Sequence, residues 1–512
     1  MRENKKVLCR TVAALVLVLA CTTAPAQEDA ATRLVESMAT AMGGKERLQR
    51  IGNFALTGFG QRAYMDGGGN VTGDINAPAK WQGVIDAQRT FDLRQGRALN
   101  QERRSHQFPF AAPFGINWSR SSVVQSGAEL MDHPLPAVLE ALAAGARLGA
   151  VTVEDGQSVV RFTTRDGTPV WIASDSATHL PLWTRRIVPH TNLGDVAVTT
   201  HFTGYVPYDG VLLPLGLQNR INWRGQVTLM FQVDSYRVDL PADQLPAFPV
   251  NAPRAAVAPP PPAVISLAKG VWDVRVGRNG GPVIEFADHL VIFEANGSAA
   301  DTLARIDAAN KLVSGKQVTA VIVSHHHFDH TAGLRAAVSR GLSVISHRGN
   351  EGILRELIER PAVVHPDALA RNPHPFRFTP VDERLVLEDG TQRLEIYHVV
   401  AHSHMANGVF AWLPASRIMM EGDLGDSEWT WHWWAGALAA NLKAYGIAPT
   451  LNVAVHGPAG GLSIAETLAN NQSQSAAARK FCAEQREKGV PVYGCPVQYD
   501  AAGLLRLEPA AN

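Results

Sequence analysis

Four residues of the run Ser324-His325-His326-His327-Phe328-Asp329-His330 are spaced as His-x-His-x-Asp-His: His325, His327, Asp329 and His330. Imidazole nitrogens and carboxylate oxygens are ligands that suit zinc and similar divalent cations. Two histidines two positions apart do not share a helix face, but a loop can turn both inward. Asp329 and His330, adjacent on the same turn, can aim at a second ion nearby. The context supports this. Val318-Thr319-Ala320-Val321-Ile322-Val323 is a short, largely β-branched apolar stretch, and helix-like Leu334-Arg335-Ala336-Ala337-Val338 follows Thr331-Ala332-Gly333. The motif is expected on a loop between a buried strand and a helix.

One loop does not close two metal sites, because a zinc site with an open position needs three or four protein ligands. Suitable residues recur after later strand-like runs. Leu394 to Val400 leads into Ala401-His402-Ser403-His404, followed by Val409-Phe410-Ala411-Trp412-Leu413-Pro414. Arg417-Ile418-Met419-Met420-Glu421 ends in Gly422-Asp423, with Asp426 an alternative acid, and Leu451-Asn452-Val453-Ala454-Val455 ends in His456-Gly457.

From about residue 264 to about 460 the chain resembles the metallo-β-lactamase-fold hydrolases. The resemblance implies an α/β fold, an αββα sandwich with its metals at one edge. It implies His325, His327 and His404 on one ion, Asp329, His330 and His456 on the other, and Asp423 between them. His402 competes with His404, and counting back from Leu413-Pro414 favours His404. Two zinc ions are expected, other divalent metals being possible. The implied chemistry is hydrolysis of an ester, lactone, thioester or amide by a metal-bound hydroxide, with Asp329 orienting the nucleophile as the catalytic residue. Asp423 points away from the β-lactamases proper. Other readings are a single-metal iron or sulfur-handling enzyme on the same fold, and a carrier of a lipid-like ligand with a vestigial hydrolase domain.

A chain of 512 residues exceeds one typical domain. Lys+Arg 47 balances Asp+Glu 47, and no basic run with interleaved aromatics speaks for nucleic acid. Residues 1–26 read as a signal peptide: Arg2, Lys5 and Lys6, then apolar Thr11 to Ala20, then Ala24-Pro25-Ala26 before Gln27. The expected destination is the periplasm or the exterior. Val18-Leu19-Ala20-Cys21 offers a lipid anchor at Cys21 as the minority alternative, an outer-membrane lipoprotein. No later stretch is long and apolar enough for a transmembrane helix. Cleavage after Ala26 leaves Cys482 and Cys495, a disulfide candidate or two separate thiols.

The elements that must position the site fall into two halves. Residues 27–246 read as a mainly antiparallel β domain, opening with a helix over 30–51 interrupted at Gly43-Gly44 and carrying a helical insert near Leu135 to Leu148. This helix-then-meander pattern loosely resembles the half-barrels of periplasmic lipoprotein carriers. Residues 247–263, with four consecutive prolines, read as a linker. Residues 264–512 form the hydrolase domain with a C-terminal extension. Glu428-Trp429-Thr430-Trp431-His432-Trp433-Trp434 is expected either to line an apolar mouth for a small-molecule substrate with an apolar part, or to pack in a core or against the first domain.

Overall fold

The computed structural model describes residues 29–506, apart from 66–71, 78, 107–117, 126, 250–258, 401, 403, 426–433, 435, 490–497 and 500–504. The expected signal peptide, most of the expected linker and the tryptophan run up to Trp433 lie outside the described residues.

The first half is built on one 12-stranded antiparallel sheet. Its opening strand, Asn53–Ala63, pairs on one side with Trp81–Asp92 and on the other with Val227–Val238, the last strand of the sheet. A helix over residues 29–41 and a short one over Lys45–Arg50 lie on one face. The expected single helix is therefore two. Gly43 and Gly44, at φ 129° and 100°, adopt backbone that a side chain disfavours, and the chain turns there. The helical insert is shorter than the sequence suggests, Pro134–Ala141. Val35, Met38, Met42, Phe54, Leu56, Leu135, Val138 and Phe162 fill the core between these helices and the sheet.

The second half stacks two sheets. The first has seven strands, from Ala263–Ala268 to Phe378–Val381, and the second six, from Arg384–Glu388 to Leu462–Ser463. Ile284, Val291, Phe293, Ile322, Ile396, Ala411, Met420 and Val453 fill the layer between them. Helices Ala299–Ala309, Leu334–Ser339 and Glu351–Glu359 cover the outer face of the seven-stranded sheet. Ala437–Tyr445 and Ile464–Glu487 cover the other sheet. Helix, sheet, sheet, helix is the αββα sandwich expected.

Strands Leu290–Phe293, Val318–Ile322, Ser343–His347 and Phe378–Val381 run parallel, so their carboxyl ends open on one edge. Helix Ala299–Ala309 makes the first crossover, started by a capping box of Ser298 and Asp301. The buried Arg305 guanidinium donates to the carbonyls of Glu294, Gly281, Pro282 and Phe293, fixing this helix to the strand ends beneath it.

The halves are packed together. Leu193, Val196, Ile221 and Trp223 of the first join the core beneath helix Glu351–Glu359 of the second. Asp195 accepts hydrogen bonds from the backbone N–H groups of Val363, Val364 and His365 at 2.6, 2.6 and 3.0 Å. Gly194, at φ 65°, lets the strand approach Pro361 so closely that a Cβ would lie 2.5 Å from its carbonyl oxygen. No helix among the described residues is long and apolar enough to cross a membrane.

Candidate metal centre

Val318–Ile322 is buried apart from Thr319, and the chain leaves its carboxyl end as a loop that at Phe328–Thr331 winds into a single helical turn. That change of backbone separates the motif into two pairs. His325 and His327 lie on the extended part, and Asp329 and His330 on the turn. Phe328 anchors the turn by packing against Trp223 and His190 of the first half, with ring centroids 5.3 and 5.5 Å away. Asn192 Nδ2 donates to Phe328 O and Thr331 Oγ1, both at 2.9 Å. The first half therefore holds the loop that carries four of the candidate ligands.

Two groups of ligand atoms result. His325, His327, His404 and Asp423 form one, and Asp329, His330 and His456 the other, with the atoms of each group within 4.8 Å of one another. Asp423 stands between them. Its Oδ2 lies 2.7 Å from His404 Nε2 and 3.5 Å from His325 Nε2. Its Oδ1 lies 3.0 Å from His330 Nε2 and 3.5 Å from His456 Nε2. Asp329 Oδ2 completes the second group, 3.4 Å from His456 Nε2 and 3.6 Å from His330 Nε2.

The donor set fits two cations. Ligands bound at roughly 2.0–2.1 Å in a tetrahedron sit about 3.4 Å apart, the range of these contacts. His330 Nε2 and His456 Nε2 face each other at 3.2 Å, and His325 Nε2 faces His327 Nδ1 at 2.8 Å. Among the described residues the buried Asp423 Oδ1 has no well-aligned hydrogen-bond donor, although two imidazole nitrogens lie 3.0 and 3.5 Å away. Lone pairs aimed at a common point, rather than donors paired with acceptors, are what a cation requires.

The site's electrostatics follow from burial and crowding. Burial holds the His325 and His327 imidazoles well below their ordinary pKa, hence neutral, as ligation demands. Although burial opposes it, positive charge at His330, which a bound cation would supply in its place, keeps the Asp329 carboxyl down at about 2 and Asp423 well below the carboxylate range. His456 is raised to about 9 against burial, chiefly by its hydrogen bond to Asp329.

His402 is not in either group. Its Nδ1 accepts from the N–H groups of His404 and Met405, at 3.2 and 3.3 Å, and its Nε2 lies 3.2 Å from the backbone oxygen of Asp423. It shapes the loop that presents His404. The His404 ring stacks on Trp434, with centroids 4.3 Å apart. Gly422 precedes Asp423 because a Cβ there would collide with Ser324 Oγ. Asp426 lies outside the described residues.

Three residues at the site carried no signal in the sequence. Glu294, fully buried at φ 77°, accepts from Ser324 N at 2.9 Å, and its Oε2 lies 3.5 Å from His330 Nδ1. It orients a ligand from behind. Glu421, also buried, accepts from Asn452 Nδ2 and Leu424 N, and burial raises it to about 7. Lys80 comes from the first half and is 2% exposed. Burial lowers it to about 8 while Asp329 and Asp423 pull it upward, and its charge depresses His327 and His404 in turn. The ammonium is therefore within electrostatic reach of both groups of candidate ligands.

Residues 283–424 match the family model of the metallo-beta-lactamase superfamily. This stretch of the second half is a metallo-β-lactamase superfamily domain, a fold that typically binds metals and hydrolyses small molecules. Among solved structures, the DIM-1 metallo-beta-lactamase is 18% identical with a TM-score of 0.33, covering 43% of this chain and 99% of that one. TMB-1 is 18% identical at a TM-score of 0.32, over 42% and 99%. The inverting sec-alkylsulfatase Pisa1 from Pseudomonas sp. is 17% identical at 0.34, over 45% and 44%. No curated protein matches the chain.

Proposed function

We propose that this protein is a metal-dependent hydrolase of a small ester, lactone, thioester or amide, with two zinc ions as its cofactor. The observation that carries this reading is Asp423, whose two oxygens face two different groups of imidazoles. Bound there, divalent cations supply Lewis acidity and a water whose pKa is lowered toward neutrality.

The chain's own residues supply the rest. Asp329, held ionised and 37% exposed, is the candidate to orient the attacking water and accept its proton. The Lys80 ammonium, whose charge acts on His327 and His404, is the candidate to meet negative charge on the reacting carbonyl oxygen or on an anionic substituent of the substrate. Trp434, stacked on His404, holds that ligand's ring in place. We further propose that the chain is exported to the periplasm or secreted, on the strength of residues 1–26.

Metal analysis of purified protein, with turnover of activated esters, lactones and thioesters, tests the reading. About two zinc ions per chain, and a loss of at least 100-fold in kcat/KM for His327→Ala, are expected. A single iron per chain would favour the sulfur-handling alternative. Absence of metal, with His327→Ala unchanged, would sink both.

A further inference from the structure

A second cavity, of about 240 Å³, lies wholly within the first half, away from the metal ligands. It has room for a small organic molecule rather than a single water. Phe91, Leu130, Leu217 and Leu229 give it apolar walls. Besides Asn100, Asn219 and His133, the polar groups are charged and do not cancel, three arginines facing Asp132 and Glu129. Arg186 is satisfied by Asp132 in a two-pronged pair at 3.0 and 2.9 Å. Beside that pair, Arg62 and Arg89 also line the space. Among the described residues the buried Nε of Arg62 has no hydrogen-bond partner. The Arg89 guanidinium lies 4.4 Å from the Phe231 ring centre, and Glu102 and Asp132 are the acids that act on it. Glu129 is the remaining acid in the lining, and Glu102 nearby is engaged by Arg104. His133 in the wall is neutral, burial holding it at about 3.

We propose that this cavity binds a small organic anion, a carboxylate with a short apolar tail, held between Arg62 and Arg89. A guanidinium carries five donors, and leaving them unmet in a half-buried space is costly. A carboxylate satisfies them in a planar fork, while the leucines and Phe91 take the tail. Burial lowers Arg62 to about 10, so the guanidinium is still charged at neutral pH. Lys80 is outside the lining. Arg62 pairs with Gln82 across the sheet, and Tyr64 N donates to Lys80 O two pairs further on. Lys80 thus lies two positions before Gln82, about 7 Å away along an extended chain.

Calorimetric titration of the metal-loaded protein with hexanoate, and with hexanol as the neutral counterpart, tests this without any turnover. Hexanoate is expected to bind one per chain, hexanol at least 10-fold more weakly. Arg62→Met or Arg89→Met is expected to weaken hexanoate at least 10-fold, and Arg62→Lys less. Thermal melts identify a variant that fails to fold, and Arg62→Lys then carries the comparison. A hexanoate affinity unchanged in both methionine variants but lost in Lys80→Met would place the anion on the metals and overturn the proposal. So would equal binding of hexanol. Because the readout is binding, it is independent of whether the second half hydrolyses anything.

Discussion

At the scale of single residues, the two histidines of the His402-Ser403-His404 segment make opposite predictions. His404→Ala removes a ligand atom from the first group, and is expected to lower bound zinc from about two to about one per chain and kcat/KM by at least 100-fold. His402→Ala removes a loop acceptor and is expected to leave zinc near two. Metal content by atomic emission separates them, and equal loss in both would refute the assignment. Asp423→Ala takes an oxygen from each group, so both ions should go. The candidate ligands were legible because a binding loop writes its chemistry in short spacings, and because strand ends marked the later ones. Glu294 and Lys80 were not legible. Glu294 reaches His330 across 36 positions through a backbone turn at positive φ. Lys80 arrives from another sheet altogether, and a solitary lysine before a strand has no distinguishing pattern.

At the scale of elements, the helix Pro134–Ala141 is fastened by a histidine that must stay neutral. His133 Nδ1 accepts from Leu135 N at 3.2 Å, capping the helix, and Nε2 lies 3.2 Å from Tyr236 Oη. Tyr236 spends its proton on Pro214 O, so His133 Nε2 must carry the hydrogen and Nδ1 must be bare. Protonating Nδ1 destroys the cap. The native pKa is about 3 against 6.5 for the free side chain, so the unfolded chain binds the extra proton first. The stabilisation is complete above pH 6.5 and is lost as pH falls toward 3, on the order of 5 kcal/mol in all. Denaturant unfolding between pH 7 and 4 is expected to show this slope, and His133→Asn, which can cap but not titrate there, to flatten it. The element itself was legible from its apolar run, but its length was not. Pro134 at the start is compatible with a helix, and the helix stops at the turn that leads to Gly145, at φ 83°, which an apolar run alone does not mark.

At the scale of the whole molecule, the first half is a structural partner of the metal edge, which the proline-rich linker between the halves did not suggest. A linker's composition reports reach and stiffness, whereas Asn192, Asp195 and Trp223 dock the halves through contacts more than 100 positions apart in sequence. Asn192→Ala leaves every ligand in place yet frees the Phe328 turn. It is expected to lower zinc affinity about 10-fold, checked by competition with a chelator. Stripping the ions is expected to lower the melting temperature by about 5 °C or more, since ligation favours the native state by mass action. One pairing described above has a consequence of another kind. Strand Asn53–Ala63 is joined to Val227–Val238, about 180 residues later. As the chain emerges, amino end first, the sheet stays unfinished until its last strand is out, so an early segment waits with its edge bare. Once that strand arrives, the whole sheet can form before the His-rich loop has emerged. That loop then meets a finished surface already shaped to receive Phe328, and order of emergence becomes order of assembly.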